Sequence, residues 1–493
     1  MEKNYMKSLK TLTNKAFAPI GGGGAGSPLK NKLCRLTLAL ALTLPLFSPA
    51  FADETNTPPV PPTPDTITYP EYGSGNGEKY YKWENTDTGL QLTETDKENT
   101  QITAKYDTGT THTRIENRNT DNSSTDITGG SFVNLTTGST SGSQYGGAIY
   151  NSGSLAKLGD ISADFVGNYI SGIDYATGGA IYNYHSTIGA ITGDFIGNYV
   201  SGNSVHSGAI YNSGTIGPIT GDFISNYVSG NSAHGGAINS SGTIGAITGD
   251  FIGNYASSSR YVYGGAIYNS GTIDAITGSF IGNYVSGNSS AYGGAIYSYS
   301  GTIGAITGDF IGNYASGNSY AYGGAINNSG TIGDITGDFI GNYVSGNSYA
   351  YGGAIYNYSG TIDNITGSFI NNYAKTTASN ALALGGAIYT NTNLTITANN
   401  QPIEFTGNYT EDSRGKTPNA IFVSTISSTP VTITLNATNN GSITLNDQID
   451  GGKVSSTTIN HTNQYNLSLT GDPTSQIYLN NAIINANISI DNT

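Results

Sequence analysis

Six aspartates stand immediately before a phenylalanine, at Asp164, Asp194, Asp222, Asp250, Asp309 and Asp338, with Ser279 and Ser368 at two equivalent positions. Carboxylates recurring at one spacing could chelate calcium, or a pair could serve as acid and base on a glycosidic bond. Stacked at about 4.8 Å, the spacing of neighbouring strands, they would also repel one another. Water-exposed side chains are therefore the plainer expectation. The G-G-x-G-x-D pattern of calcium β-helices is absent, and residues repeated in every unit do not make the singular constellation a hydrolase needs. Of the histidines, His206 and His234 hold equivalent positions in neighbouring repeats and could lie close. With no cysteine after Cys34 and no positioned carboxylate, two metal-free loop histidines are expected. There is no G-x-S-x-G elbow, no H-E-x-x-H and no phosphate loop. The chain thus reads as non-enzymatic, with no catalytic residue, cofactor or metal assigned. The rival reading, a β-helical polysaccharide lyase or hydrolase, needs acids clustered with a cation. Residues 146–391 hold only Lys157, Arg260 and Lys375 as cations and no Glu, which weighs against it.

A second set of residues suits binding. Where the repeats vary most in length they carry Tyr175, His206, His234, Tyr261, Tyr263, Tyr292, Tyr320, Tyr322, Tyr349 and Tyr351. Length variation of this kind maps to outer loops. Stacked, these side chains would form an aromatic and polar stripe along the molecule, suited to sugars or protein surfaces. Many weak repeated contacts give avidity without a deep pocket.

The elements that must position them are short. A G/S-G-A-I element recurs nine times, with its Ala at 148, 180, 209, 237, 266, 295, 325, 354 and 387. An F-x-x-N-Y element alternates with it, its first eight copies 28 to 30 residues apart. The apolar segments are four to six residues long and bounded by Gly, Asn and Ser. A helix would lose about 1 kcal/mol at each glycine relative to alanine, so each repeat reads as two or three strands joined by turns. One repeat per coil of a parallel β-helix explains the constancy, because like residues then stack in columns. Strand neighbours point to opposite faces. Ile after G-G-A therefore faces in, and the following Tyr or Asn faces out.

Phe195, Phe223, Phe251, Phe280, Phe310, Phe339 and Phe369 are expected as one internal column. Asn198, Asn226, Asn254, Asn283, Asn313, Asn342 and Asn372, with Asn168 before them, are expected as an amide ladder at a turn, since buried amides need partners. The Gly-Gly pair supplies positive φ at a tight corner.

Residues 1–52 read as a signal peptide: a basic stretch, the apolar run "LTLALALTLPLF" and an A-x-A site cleaved between Ala52 and Asp53. Twelve apolar residues are short for a membrane span. Residues 53–69 form a Pro-rich linker, 70–128 an N-terminal capping region, 129–391 the repeat array and 392–493 a less regular β-helical continuation. After the signal, twelve Lys and Arg face thirty-two Asp and Glu, a net charge of −20. That excess disfavours nucleic acid and anionic membranes as partners. The exported portion holds no cysteine, which suits a chain that crosses a second membrane unfolded.

The alternation of G-G-A-I with F-x-x-N, as in Gly264-Gly265-Ala266-Ile267 and Phe280 to Asn283, resembles the repeats of chlamydial polymorphic outer-membrane proteins. More broadly the chain is similar to the passenger of a Gram-negative autotransporter over roughly residues 126–493, including the tail "SITLNDQIDGG". The resemblance implies an all-β, right-handed parallel β-helix, exported to the cell surface or outside the cell. It further implies an adhesin whose partner is a host-cell or bacterial-surface protein or glycan. Such proteins end in a membrane β-barrel. No barrel pattern precedes the closing "ISIDNT", so a truncated passenger and a separate translocator are the two arrangements expected. A passive structural spacer is the remaining alternative.

Overall fold

The computed structural model describes residues 77–86, 89–95, 102–106, 114–117 and 126–492, apart from 134, 139–141, 154, 380, 427–429 and 456–457. The basic and apolar segments, the cleavage site at Ala52 and Asp53, and the Pro-rich stretch 53–69 lie outside these residues.

The described residues contain strands and no helix, and the strands stack into a parallel β-solenoid of about ten turns of about 29 residues. One coil shows the plan. Ile267–Asn269 forms the first wall and Thr272–Ile273 the second. Ile276–Thr277 and Phe280–Ile281 form the third. Tyr284–Gly287 and Ser290–Tyr292 form the fourth. Each wall continues from coil to coil as a parallel sheet, in register residue for residue. Ile267 pairs with Ile238 and Ile296, and Phe280 with Phe251 and Phe310. Only like-on-like stacking satisfies both the ladder and the side-chain columns, which is why the repeats resist drift.

Ala266, Ile267, Ile273, Ile276 and Phe280 are fully buried, and their counterparts line the same core in the other coils. Each of the large side chains contributes roughly 1.5–3 kcal/mol on burial. From Phe165 to Phe369 the rings stack with centroids 4.6–4.8 Å apart and planes within 4°.

The Asn column forms the expected ladder, and its geometry is complete. Asn283 Nδ2 donates to Asn313 Oδ1 in the next coil at 3.0 Å and to the Phe251 carbonyl at 2.8 Å. Its Oδ1 accepts from Asn254 Nδ2 at 2.9 Å and from the Asn254 backbone N–H at 3.0 Å. The same pattern runs from Asn168 to Asn408. There Asp447 ends it, accepting from Asn408 N–H and Nδ2 at 2.8 Å and from Gly407 N–H at 3.2 Å. A second inward polar column had not been expected. Asn151, Asn183, Asn212, Asn269, Asn328 and Asn357 are fully buried two residues after the Ile of each G-G-A-I element. Ser240 and Ser298 interrupt it.

The Gly-Gly corner behaves as the sequence suggests, with the two glycines doing different work. Gly264 adopts φ +64, a left-handed value. Gly265 sits where a Cβ would come within 2.0 Å of the Gly294 carbonyl oxygen in the next coil. Gly265→Ala is therefore expected to cost about 1–3 kcal/mol through overpacking, seen as a lower urea midpoint at unchanged slope.

The segments expected as outer loops are not loops. They form the fourth wall, a sixteen-stranded sheet. Its strands turn sharply at Gly-Asn-Ser: a Cβ on Gly317 would lie 2.1 Å from the Tyr320 carbonyl oxygen. Val200 and Val205, Val228 and Ala233, and Val285 and Ala291 face each other across a thin core separate from the main one. Polar turn residues surround only one or two apolar residues per strand here, so the pattern looks like loop until the coils are stacked.

Before the solenoid, Gly77–Thr86 pairs antiparallel with Gly89–Thr95 and Ile102–Tyr106. Beyond residue 391 the coils continue with longer strands. Leu394–Asn399 pairs parallel with Thr432–Thr438, which in turn pairs with Tyr465–Gly471.

Candidate ligand-binding surface

The repeated aspartates are half-buried rather than freely solvated, and their role is structural. Asp164 Oδ1 accepts the Asp194 backbone N–H at 3.0 Å, Asp194 that of Asp222, and Asp222 that of Asp250, each at 2.9 Å. Ser279 replaces the carboxylate in the same bond, its Oγ accepting from the Asp309 N–H at 3.3 Å. Neutral serine is tolerated because the position requires an acceptor, not a charge. Among the described residues no three His, Cys, Asp or Glu side chains are grouped to hold a metal ion.

The aromatic residues come together differently from a single stripe. His206, His234, Tyr263, Tyr292, Tyr322 and Tyr351 share one register column on the strand that enters the Gly-Gly corner. Neighbouring rings along it lie 4.7–5.6 Å apart. Tyr175, Tyr261, Tyr320 and Tyr349 occupy a second column two residues upstream, interrupted by Ser204, Ser232 and Ser290.

Across the corner stands a third column that the sequence stripe omitted: Tyr150, Tyr182, Tyr211, Asn239, Tyr268, Tyr297, Asn327, Tyr356 and Tyr389. Its outward direction was legible from the Tyr/Asn exchange after G-G-A-I. Its proximity to the first column was not. The four residues between them, the first a left-handed glycine, bring the two columns face to face. His234 meets Tyr268 at 5.0 Å, Tyr263 meets Tyr297 at 5.2 Å, Tyr322 meets Tyr356 at 4.8 Å and Tyr351 meets Tyr389 at 4.9 Å. Rings in contact across a corner define a re-entrant trough along the solenoid axis. Its rims carry exposed rings: Tyr261 and Tyr320 on one side, Tyr299 and Tyr358 on the other.

At its first coil the trough carries one charge, the Arg114 guanidinium 4.8 Å from the Tyr150 ring centroid; beyond that coil its floor is uncharged. Neither floor column holds Asp, Glu, Lys or Arg. Burial pushes the phenol of Tyr263 up to about 12, helped by its tyrosine neighbours, so it stays a hydrogen-bond donor at neutral pH. Burial lowers His206 to about 4 and, with some repulsion from His206, His234 to about 3. Both imidazoles are thus neutral. His206 Nδ1 pairs with Asn239 Nδ2 at 3.0 Å and His234 Nε2 with Ser232 Oγ at 3.1 Å.

A further ring ladder runs on the other half of the fourth wall, from Tyr169 to Tyr409, with centroids 4.0–5.0 Å apart. It consists of the tyrosines of F-x-x-N-Y. Lys416 Nζ lies 4.3 Å from the centroid of its last ring. A regular column of serines runs two residues after these tyrosines, and Tyr169 bonds Ser201 at 3.2 Å.

Comparison of the chain with protein-family models, with curated proteins and with solved structures finds no match.

Proposed function

We propose that this chain is the exported passenger of an autotransporter-type system in a Gram-negative bacterium, and that it works as an adhesin rather than an enzyme. The observation that carries the reading is the tyrosine trough running coil after coil along the axis. Aromatic faces with polar tips bind sugars and protein surfaces, and repetition converts weak contacts into avidity. The N-terminal signal pattern supports export, and the G-G-A-I and F-x-x-N repeats support display at the cell surface or release from it. Its partner on this reading is a protein or glycan of a host cell or a neighbouring bacterium.

The test removes exposed rings at the rims. Tyr261, Tyr299, Tyr320 and Tyr358 are 37–51% exposed. Replacing all four by serine is expected to weaken binding of the purified residues 53–493 to cells at least tenfold, while the variant keeps the β-sheet circular dichroism and cooperative unfolding of wild type. Binding equal to wild type would remove the trough from the adhesive surface. Binding no better than that of an unrelated β-solenoid would remove the adhesive function itself.

A further inference from the structure

One position in the column entering the corner lacks a ring. Between Tyr145 and Tyr351 the column entering the corner is aromatic or histidine in every coil except one, where Thr177 pairs in register with Tyr145 on one side and His206 on the other. A depression of about 230 Å³ opens at this place, lined by Tyr145, Tyr175, Thr177, Tyr182, His206 and Tyr211. Tyr145 leans towards Tyr182, with centroids 4.8 Å apart and planes at 41°. His206 meets Tyr211 edge-on at 6.2 Å. Tyr175 stands at the rim, 53% exposed.

We propose that this depression binds a single neutral sugar unit of a surface glycan, whose ring takes the place of the side chain missing at Thr177. The inference rests on the adhesive reading above and names the ligand class for one site within it. The size suits one ring: small-molecule pockets usually begin at about 300 Å³, so an oligosaccharide does not fit within it. The chemistry suits a sugar better than an aromatic side chain. A pyranose has an apolar C–H face for the exposed Tyr175 ring and a hydroxylated edge. The lining supplies phenols as partners for that edge. A phenyl group would cover these polar tips without pairing them, which is costly. No lining residue is charged, and the neighbouring Arg114 guanidinium is already engaged with the Tyr145 carbonyl and the Tyr150 ring, so an acidic or basic sugar gains little from an ion pair and loses hydration.

The experiment completes the column. Thr177→Tyr places at this position the residue that equivalent positions already hold, so the variant should fold. Wild-type residues 53–493 and the variant are titrated by calorimetry and saturation-transfer NMR with the methyl glycosides of glucose, galactose, mannose, fucose and N-acetylglucosamine. Methyl glucuronide and N-acetylphenylalaninamide serve as charged and aromatic comparisons. At least one neutral glycoside is expected to bind wild type with a millimolar Kd, and to bind Thr177→Tyr at least tenfold more weakly. If that variant misfolds, Tyr175→Ala at the exposed rim is expected to weaken the same ligand severalfold. The proposal is overturned if no neutral glycoside binds, if the fold-retaining variant binds it as well as wild type, or if the charged or aromatic probe binds best. Cell binding by wild type without glycoside binding sinks this site and leaves the adhesive reading standing. Loss of cell binding by both proteins sinks the reading itself.

Discussion

Replacing Asn283 by alanine is expected to lower stability by about 4 kcal/mol, at the high end of what a polar side chain contributes. The side chain makes four hydrogen bonds, and not all are lost equally. Asn254 Nδ2 keeps its bond to the Phe223 carbonyl, and Asn313 Oδ1 keeps the Asn283 backbone N–H. The Asn254 N–H loses its acceptor on the Asn283 side chain, and the Phe251 carbonyl loses the Asn283 amide that donates to it, in a fully buried place. Each stranded group costs roughly 1–3 kcal/mol. Asn283→Asp should be worse. An oxygen would then face both the Phe251 carbonyl and Asn313 Oδ1, where the amide now donates. Asp447 shows where a carboxylate is tolerated: at the ladder's end it meets three donors. Asn288, exposed on the fourth wall, is the control, and its alanine variant should stay within about 0.5 kcal/mol of wild type. Urea unfolding followed by circular dichroism measures all three. An Asn283→Ala midpoint matching that of the control would contradict the ladder account.

Acidification is expected to destabilise the solenoid through His206 and His234. The fold holds both imidazoles neutral, with folded values of about 4 and about 3 against 6.5 for a free histidine. The neutral form is the one favoured, so this contribution is fully present above pH 6.5. It is lost as pH falls, because the unfolded chain takes up protons first, and the loss ends only below the folded values. Allowing for the solvated ring edges, the two together amount to on the order of 2–4 kcal/mol between pH 7 and pH 4. Their surroundings offer no compensating charge: Asn239, Ser204, Tyr211, Ser232, Tyr263 and Tyr268 face the rings. Asp447 and Asp450 act in the opposite sense. Burial raises both, so their contribution grows as pH falls. A double variant, His206→Tyr with His234→Tyr, isolates the histidines, since Tyr263 and Tyr292 already hold that column. The difference in stability between pH 7 and pH 4.5 should shrink in the variant. An equal difference would show that the histidines are not titrating in the fold.

How much of this was legible depended on which neighbour a residue answers to. Phe280, Ile267 and Asn283 answer to their own copies one repeat away, and strict recurrence exposed them as inward columns. The second polar column, Asn269 and its equivalents, is equally recurrent but follows an outward Tyr, and Ser240 and Ser298 break its run. Period-two alternation from Ile267 would have placed it inside. The Asp column was misread for another reason. Its hydrogen bonds go to a backbone N–H one coil away, and sequence shows side chains but not which backbone groups need partners.

The linear chain by itself determined the repeat, the strands of the G-G-A-I, T-I-x-x-I-T and F-x-x-N-Y segments, the identity of the stacked columns and the Gly-Gly corner. Each depends on local propensity or on like meeting like at a fixed interval. Only the tertiary structure decided that Val285 and Ala291 build a second thin core, and that Tyr263 faces Tyr297 across the corner. It alone showed the depression that opens where Thr177 interrupts the ring column. Those contacts join unlike positions, and their geometry is set by the angle at which the walls meet, a quantity that no spacing along the chain encodes.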